Sequence, residues 1–134
     1  PIMENIRKKY ICKNQIKKGI SGTKEILKFF KKNTSIALMI DQRVSEGIKS
    51  KLFNEDAFTT TIPAQFIKKF DALVVPIYIE RTFNTNFKLK IYEPLKFSKN
   101  DKVEDITLKL NRFLEKLIIK NPEQWIWTHN RWKV

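Results

Sequence analysis

The chain has 134 residues, enough for one domain with a hydrophobic core. Hydrophobic residues make up 42% of it, which argues against an intrinsically disordered chain, and no apolar run reaches the roughly 18 residues of a membrane-spanning helix. The net charge of +13, from 27 Lys and Arg against 14 Asp and Glu, predicts attraction to anionic partners or reflects only a lysine-rich composition.

Two helices are predicted in the first third of the chain. Residues 3–10 have apolar side chains at helical spacing among basic ones, which indicates a short basic helix. A second helix is predicted to start near Ser21 or Thr23, whose hydroxyl groups can cap it, and to end at about Lys32. Cys12, between the two helices, is the only cysteine, so no disulfide forms within this sequence and we expect a reducing compartment.

Two continuous apolar runs, residues 35–40 and 72–79, predict buried strands. Their length and polar ends are typical of strands in a parallel sheet. Pro76 removes a ladder hydrogen bond from the second run, which indicates a bulge or a sheet edge. Residues 87–93 alternate, so we expect a third strand that forms a hairpin with the second across a turn at 83–86.

The rest of the chain is predicted to contain a loop and two further helices. Residues 43–58 lack periodicity and predict a loop. Hydroxyl residues followed by a proline predict a helix over 59–70. The longest helix is predicted over 103–120, where an Asn-Pro pair ends it, and a short helix or turn follows. The order of helices and strands indicates an α/β fold, with residues 1–134 as a single domain.

Polar side chains follow both predicted buried strands. Asp41 and Gln42 come directly after the first strand, at the sheet edge where ligands bind in open α/β folds. A carboxylate there can orient a base, bind a hydroxyl group or hold a metal, or it can simply cap a loop. Arg81 follows the second strand and could bind a phosphate bidentately or form a surface ion pair with Glu80 or Asp41.

The last fourteen residues contain all three tryptophans and the only histidine. An extended backbone would place His129, Arg131 and Lys133 on one face, whereas a helix would spread them around its axis. The composition of this segment fits nucleic acid, a lipid headgroup or an acidic protein as partner. With one histidine and three glycines, the sequence contains neither the usual zinc site nor a phosphate-binding glycine loop, and we expect no metal and no cofactor.

Together these motifs resemble the lipid A biosynthesis (lauroyl/myristoyl) acyltransferase family in order and spacing over nearly the whole chain. The motifs are Ile40-Asp41-Gln42, Leu52-Phe53 with Thr59-Thr60-Thr61, Val75-Pro76 with Arg81, and Pro122-Glu123-Gln124 followed by Trp127, His129, Arg131, Trp132 and Lys133. The closing block is the most specific of them. Residues 54–56 depart from the Phe-Gly and following Pro that the family usually has, so the shape of this loop stays open.

The resemblance implies an enzyme that transfers a fatty acyl chain from acyl carrier protein to a lipid A precursor in lipopolysaccharide biosynthesis. It implies the mixed sheet flanked by helices of glycerol-phosphate acyltransferase-like enzymes, of which this chain would be the C-terminal portion. It also implies a location on the cytoplasmic side of the bacterial inner membrane, with its anionic surface as a further partner. We therefore expect no nucleic-acid partner.

The resemblance also implies roles for individual residues. Asp41 matches an active-site position, so it is the catalytic candidate. The predicted substrate-binding residues are Arg7, Gln42, Arg81, His129, Arg131 and Lys133, with the match of Arg7 the loosest.

The family's general base belongs to a His-x-x-x-x-Asp/Glu motif that this sequence does not contain, since the fifth residue after His129 is Val134. We therefore expect an incomplete part of the enzyme, inactive by itself.

Two alternatives from other classes remain. A small basic nucleic-acid-binding module would use Trp125, Trp127 and Trp132 to stack on bases and its lysines to bind phosphates. A non-catalytic protein that binds a membrane surface or a carrier protein would use the same charges without chemistry.

Overall fold

The computed structural model describes residues 2–16 and 19–133, which divide into two units between Leu38 and Met39. The first unit contains the helices α1 (Ile2–Tyr10) and α2 (Ile20–Phe30), which confirms both predicted helices. The predicted cap of α2 was wrong, because Gly19 precedes the helix with a φ of 105°. Glycine adopts this angle readily, so the helix begins at Ile20, before Ser21 and Thr23.

The second unit contains the remaining elements. In chain order they are β1 (Ile48–Leu52), β2 (Glu55–Thr59), α3 (Ile62–Phe70), β3 (Ile77–Phe83), β4 (Asn86–Ile91), α4 (Val103–Lys120) and a 3₁₀ turn (Pro122–Gln124). The predicted helices that became α3 and α4, the β3–β4 hairpin and the turn after α4 are confirmed. The mixture of helices and sheets agrees with the predicted α/β class.

The prediction of a parallel sheet was wrong. In the described residues both sheets are two-stranded and antiparallel, β1 with β2 and β3 with β4. Residues 35–40 form no strand, since no described strand pairs with them, and Met39 is 76% exposed. The second apolar run becomes a strand only from Ile77, directly after Pro76, whose carbonyl still accepts a hydrogen bond from the Tyr92 amide at 3.0 Å.

Residues 43–58 are not a loop but contain most of the β1–β2 hairpin. Its inward positions include Ser50 and Thr59, which are buried although polar, so hydrophobic periodicity alone does not reveal these strands. A two-residue turn at Phe53 and Asn54 joins the strands, with φ of 53° and 64°. Glu115 of α4 accepts a hydrogen bond from the Phe53 amide at 2.6 Å and so holds this turn.

One stripe of α4 forms the centre of the core. Ile106 and Leu110 pack with Ala64 and Ile67 of α3, while Leu114 and Ile118 pack with side chains of the β1–β2 hairpin. The four α4 residues are four positions apart, so they lie on one face of the helix. No helix among the described residues has both the length and the apolar character required to cross a membrane.

Candidate functional site

The tail, residues 121–133, is attached to the β1–β2 hairpin by two side chains. The Trp132 indole donates a hydrogen bond to the carbonyl of Leu52 at 3.0 Å. The Arg131 guanidinium donates to the carbonyl of Phe58 at 2.6 Å and to the hydroxyl of Thr59 at 2.8 Å. Arg131 is 0% exposed, so this cation is a buried anchor of the tail.

A second buried side chain completes the polar network around Thr59. Asn111 of α4 donates through Nδ2 to the Thr59 hydroxyl and to the carbonyl of Lys51, both at 3.1 Å. The hydroxyl in turn donates to the carbonyl of Ala57 at 3.1 Å. We call Arg131, Thr59 and Asn111 the anchoring network, because it ties the tail, β2 and α4 together.

Asp41 lies near this network. Its Oδ1 and the Nε of Arg131 are both buried and have no hydrogen-bond partner among the described residues. Burial lowers the pKa of the Arg131 guanidinium, the Asp41 carboxylate opposes that effect, and the cation of Arg43 adds to it. Asp41, Arg43 and Arg131 therefore form one local charge cluster.

Arg43 connects this cluster to the exposed side of the tail. Its Nε donates to the carbonyl of Lys133 at 2.7 Å, and its backbone amide donates to Nε2 of His129 at 3.4 Å. Sequence analysis did not single out Arg43, although its position directly after Asp41-Gln42 was a signal.

The three alternating tail residues do not form one basic face. Arg131 is buried, whereas His129 and Lys133 are exposed. The separation arises because the tail is a series of turns here rather than an extended strand.

Arg81 is attached to another part of the tail, through its backbone. Its amide donates to Oε1 of Gln124, and Nε2 of Gln124 donates to the carbonyl of Arg81, both at 2.9 Å. The Arg81 guanidinium lies 5.1 Å from the ring centroid of Phe87 in an exposed position. Arg81 lies within an antiparallel strand, so the expectation that it ends a parallel one was wrong.

The other two predicted substrate-binding residues are on the surface. Gln42 is exposed next to Asp41, and Arg7 is exposed on α1 in the first unit. The geometry thus brings Asp41, His129, Arg131 and Lys133 around one loop of the second unit. Among the described residues, no group of three or more His, Cys, Asp or Glu side chains could hold a metal ion.

A family model described as bacterial lipid A biosynthesis acyltransferase matches residues 6–134. The chain belongs to the bacterial lipid A biosynthesis acyltransferase family. No individual curated protein matches the chain closely enough for comparison. The match confirms the suspected family, and family membership supports acyltransferase chemistry in lipid A biosynthesis.

In this acyltransferase family member, several residues of the closing sequence block attach the tail to the two hairpins. Arg131 and Trp132 bind backbone carbonyls of the β1–β2 hairpin, and Gln124 binds the backbone of β3. Sequence reasoning missed Asn111, whose polar side chain on the apolar stripe of α4 was the available signal. The predicted roles of the site residues in substrate binding stay predictions.

Proposed function

We propose that this chain is part of an enzyme that transfers a fatty acyl chain from acyl carrier protein to a lipid A precursor. The observation that carries the proposal is the family match over residues 6–134. Asp41 and Arg43 support it, because they place a carboxylate and a half-buried guanidinium on one loop, and such a pair suits an acceptor that presents both hydroxyl groups and phosphates. In this proposal Asp41 contacts or orients the reacting groups.

We further propose that the chain does not catalyse the transfer alone. Acyl transfer to a hydroxyl group needs a general base, and the family's His-x-x-x-x-Asp/Glu motif is not present in this sequence. The only histidine accepts a hydrogen bond from Arg43, which gives it a positioning contact. Activity is therefore to be measured in the product of the whole reading frame, including any codons upstream of Pro1.

The test is an acyl transfer assay with acylated carrier protein as donor and a phosphorylated lipid A precursor as acceptor. Asp41→Asn keeps the shape of the side chain and removes its charge, and we expect kcat/KM to fall by about 100-fold or more. The matched control is Asp71→Asn, because Asp71 lies at the end of α3 with a φ of 53°, where Asn is well tolerated. Turnover near wild type in Asp41→Asn would reduce Asp41 to a structural residue.

A location at the anionic, cytoplasmic face of the inner membrane is also part of the proposal. Basic side chains near anionic lipid contribute about 1 kcal/mol each, and the chain carries a net charge of +13. Flotation with vesicles that contain or lack phosphatidylglycerol tests this. Equal binding to both kinds of vesicle would contradict an electrostatic membrane contact.

The tryptophan geometry favours the acyltransferase proposal over the nucleic-acid alternative. The rings of Trp127 and Trp132 are stacked nearly parallel with centroids 6.4 Å apart, and Trp125 meets Trp127 edge to face. Trp125 and Trp132 also pack against the core of the second unit. Because the rings contact one another and the core, fewer of their faces are open to bases.

A further inference from the structure

A groove with an apolar floor runs along one side of α4 in the second unit. Its floor is formed by Leu95 and Phe97, which precede the helix, and by Leu108 and Phe113 on the helix itself. All four side chains are half-buried, so part of each remains accessible to a partner.

Every charged side chain that lines this groove is a cation: Lys96, Lys109, Arg112 and Lys116. Lys109 is paired with Asp101 at 2.6 Å, and Arg112 is paired with Glu115 at 2.9 Å. Lys96 and Lys116 form no ion pair within the described part of the chain. Two cations that flank an apolar floor are therefore open to an external anion.

The spacing of the cations on α4 indicates the shape of that partner. Lys109, Arg112 and Lys116 are three and four residues apart, so they lie along one face of the helix. Seven residues of helix rise by about 10 Å, which is two helical turns. A second helix lying in the groove would place acidic residues of the same spacing opposite these cations and its apolar stripe on the floor.

We propose that this groove binds an acidic amphipathic helix of a partner protein. Charge complementarity selects an acidic partner, and the half-buried apolar floor selects an amphipathic helix over a polyanion without an apolar stripe. The inference rests on the proposed function in one respect, since acyl carrier protein, which holds the acyl chain in that proposal, is the acidic helical partner to be tested.

The test measures the Kd of acyl carrier protein for the protein that carries this chain, at about 50 mM salt, where surface charges are weakly screened. Lys96→Glu combined with Lys116→Glu reverses the two unpaired groove cations, and we expect the Kd to rise by about 10-fold or more. The matched control is Lys13→Glu with Lys24→Glu, which changes the net charge equally at two exposed positions of the first unit. We expect the control to raise the Kd by less than about 3-fold. Circular dichroism checks that all variants are folded.

An equal rise in both double variants would overturn the proposal, because it would show attraction to diffuse charge. An unchanged Kd in the groove variant would overturn it as well. So would a selective loss of binding to phosphatidylglycerol vesicles with unchanged carrier binding, since the groove would then be a lipid site.

A second donor, a soluble acyl thioester without the carrier protein, separates this inference from the proposed function. If the groove binds the carrier, the groove variant loses transfer from the acylated carrier and keeps transfer from the soluble thioester. Failure of the wild-type protein with both donors would contradict the proposed function, while the Kd comparison would still decide the role of the groove.

Discussion

The second unit contains two antiparallel hairpins with opposite surroundings. In the β1–β2 hairpin, Leu52, Ala57 and Thr59 are 0%, 1% and 2% exposed. In the β3–β4 hairpin, the cross-strand partners Ile79 and Leu89 are 60% and 57% exposed. Both hairpins have apolar side chains on one face, so the difference arises from what packs onto that face.

The β1–β2 hairpin is covered by α4 and by the tail, whereas the apolar face of the β3–β4 hairpin is open. The open face includes Ile77, Ile79, Leu89 and Ile91, each more than half exposed. Two strands alone bury little apolar surface, and a neighbouring layer is required to stabilise them. The comparison teaches that apolar alternation does not decide whether a hairpin is buried, because burial depends on what distant parts of the chain pack onto it.

Truncation of a leucine in each hairpin is expected to give the largest difference. Leu52→Ala should lower the free energy of unfolding by about 3–5 kcal/mol, because it leaves a cavity in the core. Leu89→Ala, on the open face, should change it by less than about 0.5 kcal/mol. Urea denaturation followed by circular dichroism measures both, and equal losses would show that the β3–β4 face is covered in solution.

Replacement of one arginine that contacts or belongs to each hairpin sharpens the comparison. Arg131→Ala leaves the carbonyl of Phe58 and the hydroxyl of Thr59 without this buried donor, and should cost about 2–3 kcal/mol of stability. Arg81→Ala removes an exposed guanidinium and should cost less than about 0.5 kcal/mol. If Arg131→Ala kept wild-type stability in urea and lost binding of a lipid A precursor, Arg131 would be a substrate-binding residue rather than an anchor.

A smaller loss is expected from Gly47→Ala, in the loop that precedes β1. A Cβ atom at this position would clash with the carbonyl of Thr59, so the loop or β2 must shift. We expect a decrease of about 1–2 kcal/mol in the free energy of unfolding. Glu46→Ala, at an exposed neighbouring position, is the control, and an equal effect of the two substitutions would show that the loop does not pack closely on β2.

The smallest effect concerns the exposed face of the β1–β2 hairpin. A hydrogen bond from Lys51 and its positive charge lower the pKa of Asp56 from its ordinary value of 3.8. Because the folded-state pKa is depressed, the resulting stabilisation is present above pH 3.8 and is lost as the pH falls through the lower folded-state value. Lys51→Met should raise the pKa of Asp56 in an NMR titration, and Lys49→Met should raise it less. A pKa that stays unchanged in Lys51→Met would show that the ion pair does not form in solution.

Much of the fold could be predicted from the sequence where local signals agree. The apolar stripe and Asn-Pro stop predicted α4 with its observed bounds of Val103–Lys120. The β1–β2 hairpin was missed, because buried Ser50 and Thr59 hide the hydrophobic period and their burial depends on contacts distant in sequence. The strand predicted at residues 35–40 does not form, because an apolar sequence alone does not provide the neighbouring strand with which its backbone must pair.

The candidate site was predicted less completely than the fold. The family resemblance indicated Asp41 and the tail, but it could not distinguish an arginine that binds substrate from one that is buried as an anchor. Arginine is among the residue types least often buried, so the 0% exposure of Arg131 could not be inferred from the sequence. Arg43 was missed because its contacts are with His129 and Lys133, about ninety positions away along the chain. Whether such distant residues meet depends on the geometry of the folded loops.

The turn at Phe53 and Asn54 has a consequence for the order of folding. Phenylalanine rarely adopts a positive φ, so this turn is unfavourable as an isolated segment. The Glu115 side chain that holds it lies 62 positions away along the chain. The β1–β2 hairpin is therefore expected to form late, after α4 is present as a template, and a peptide of residues 48–59 alone should remain unfolded.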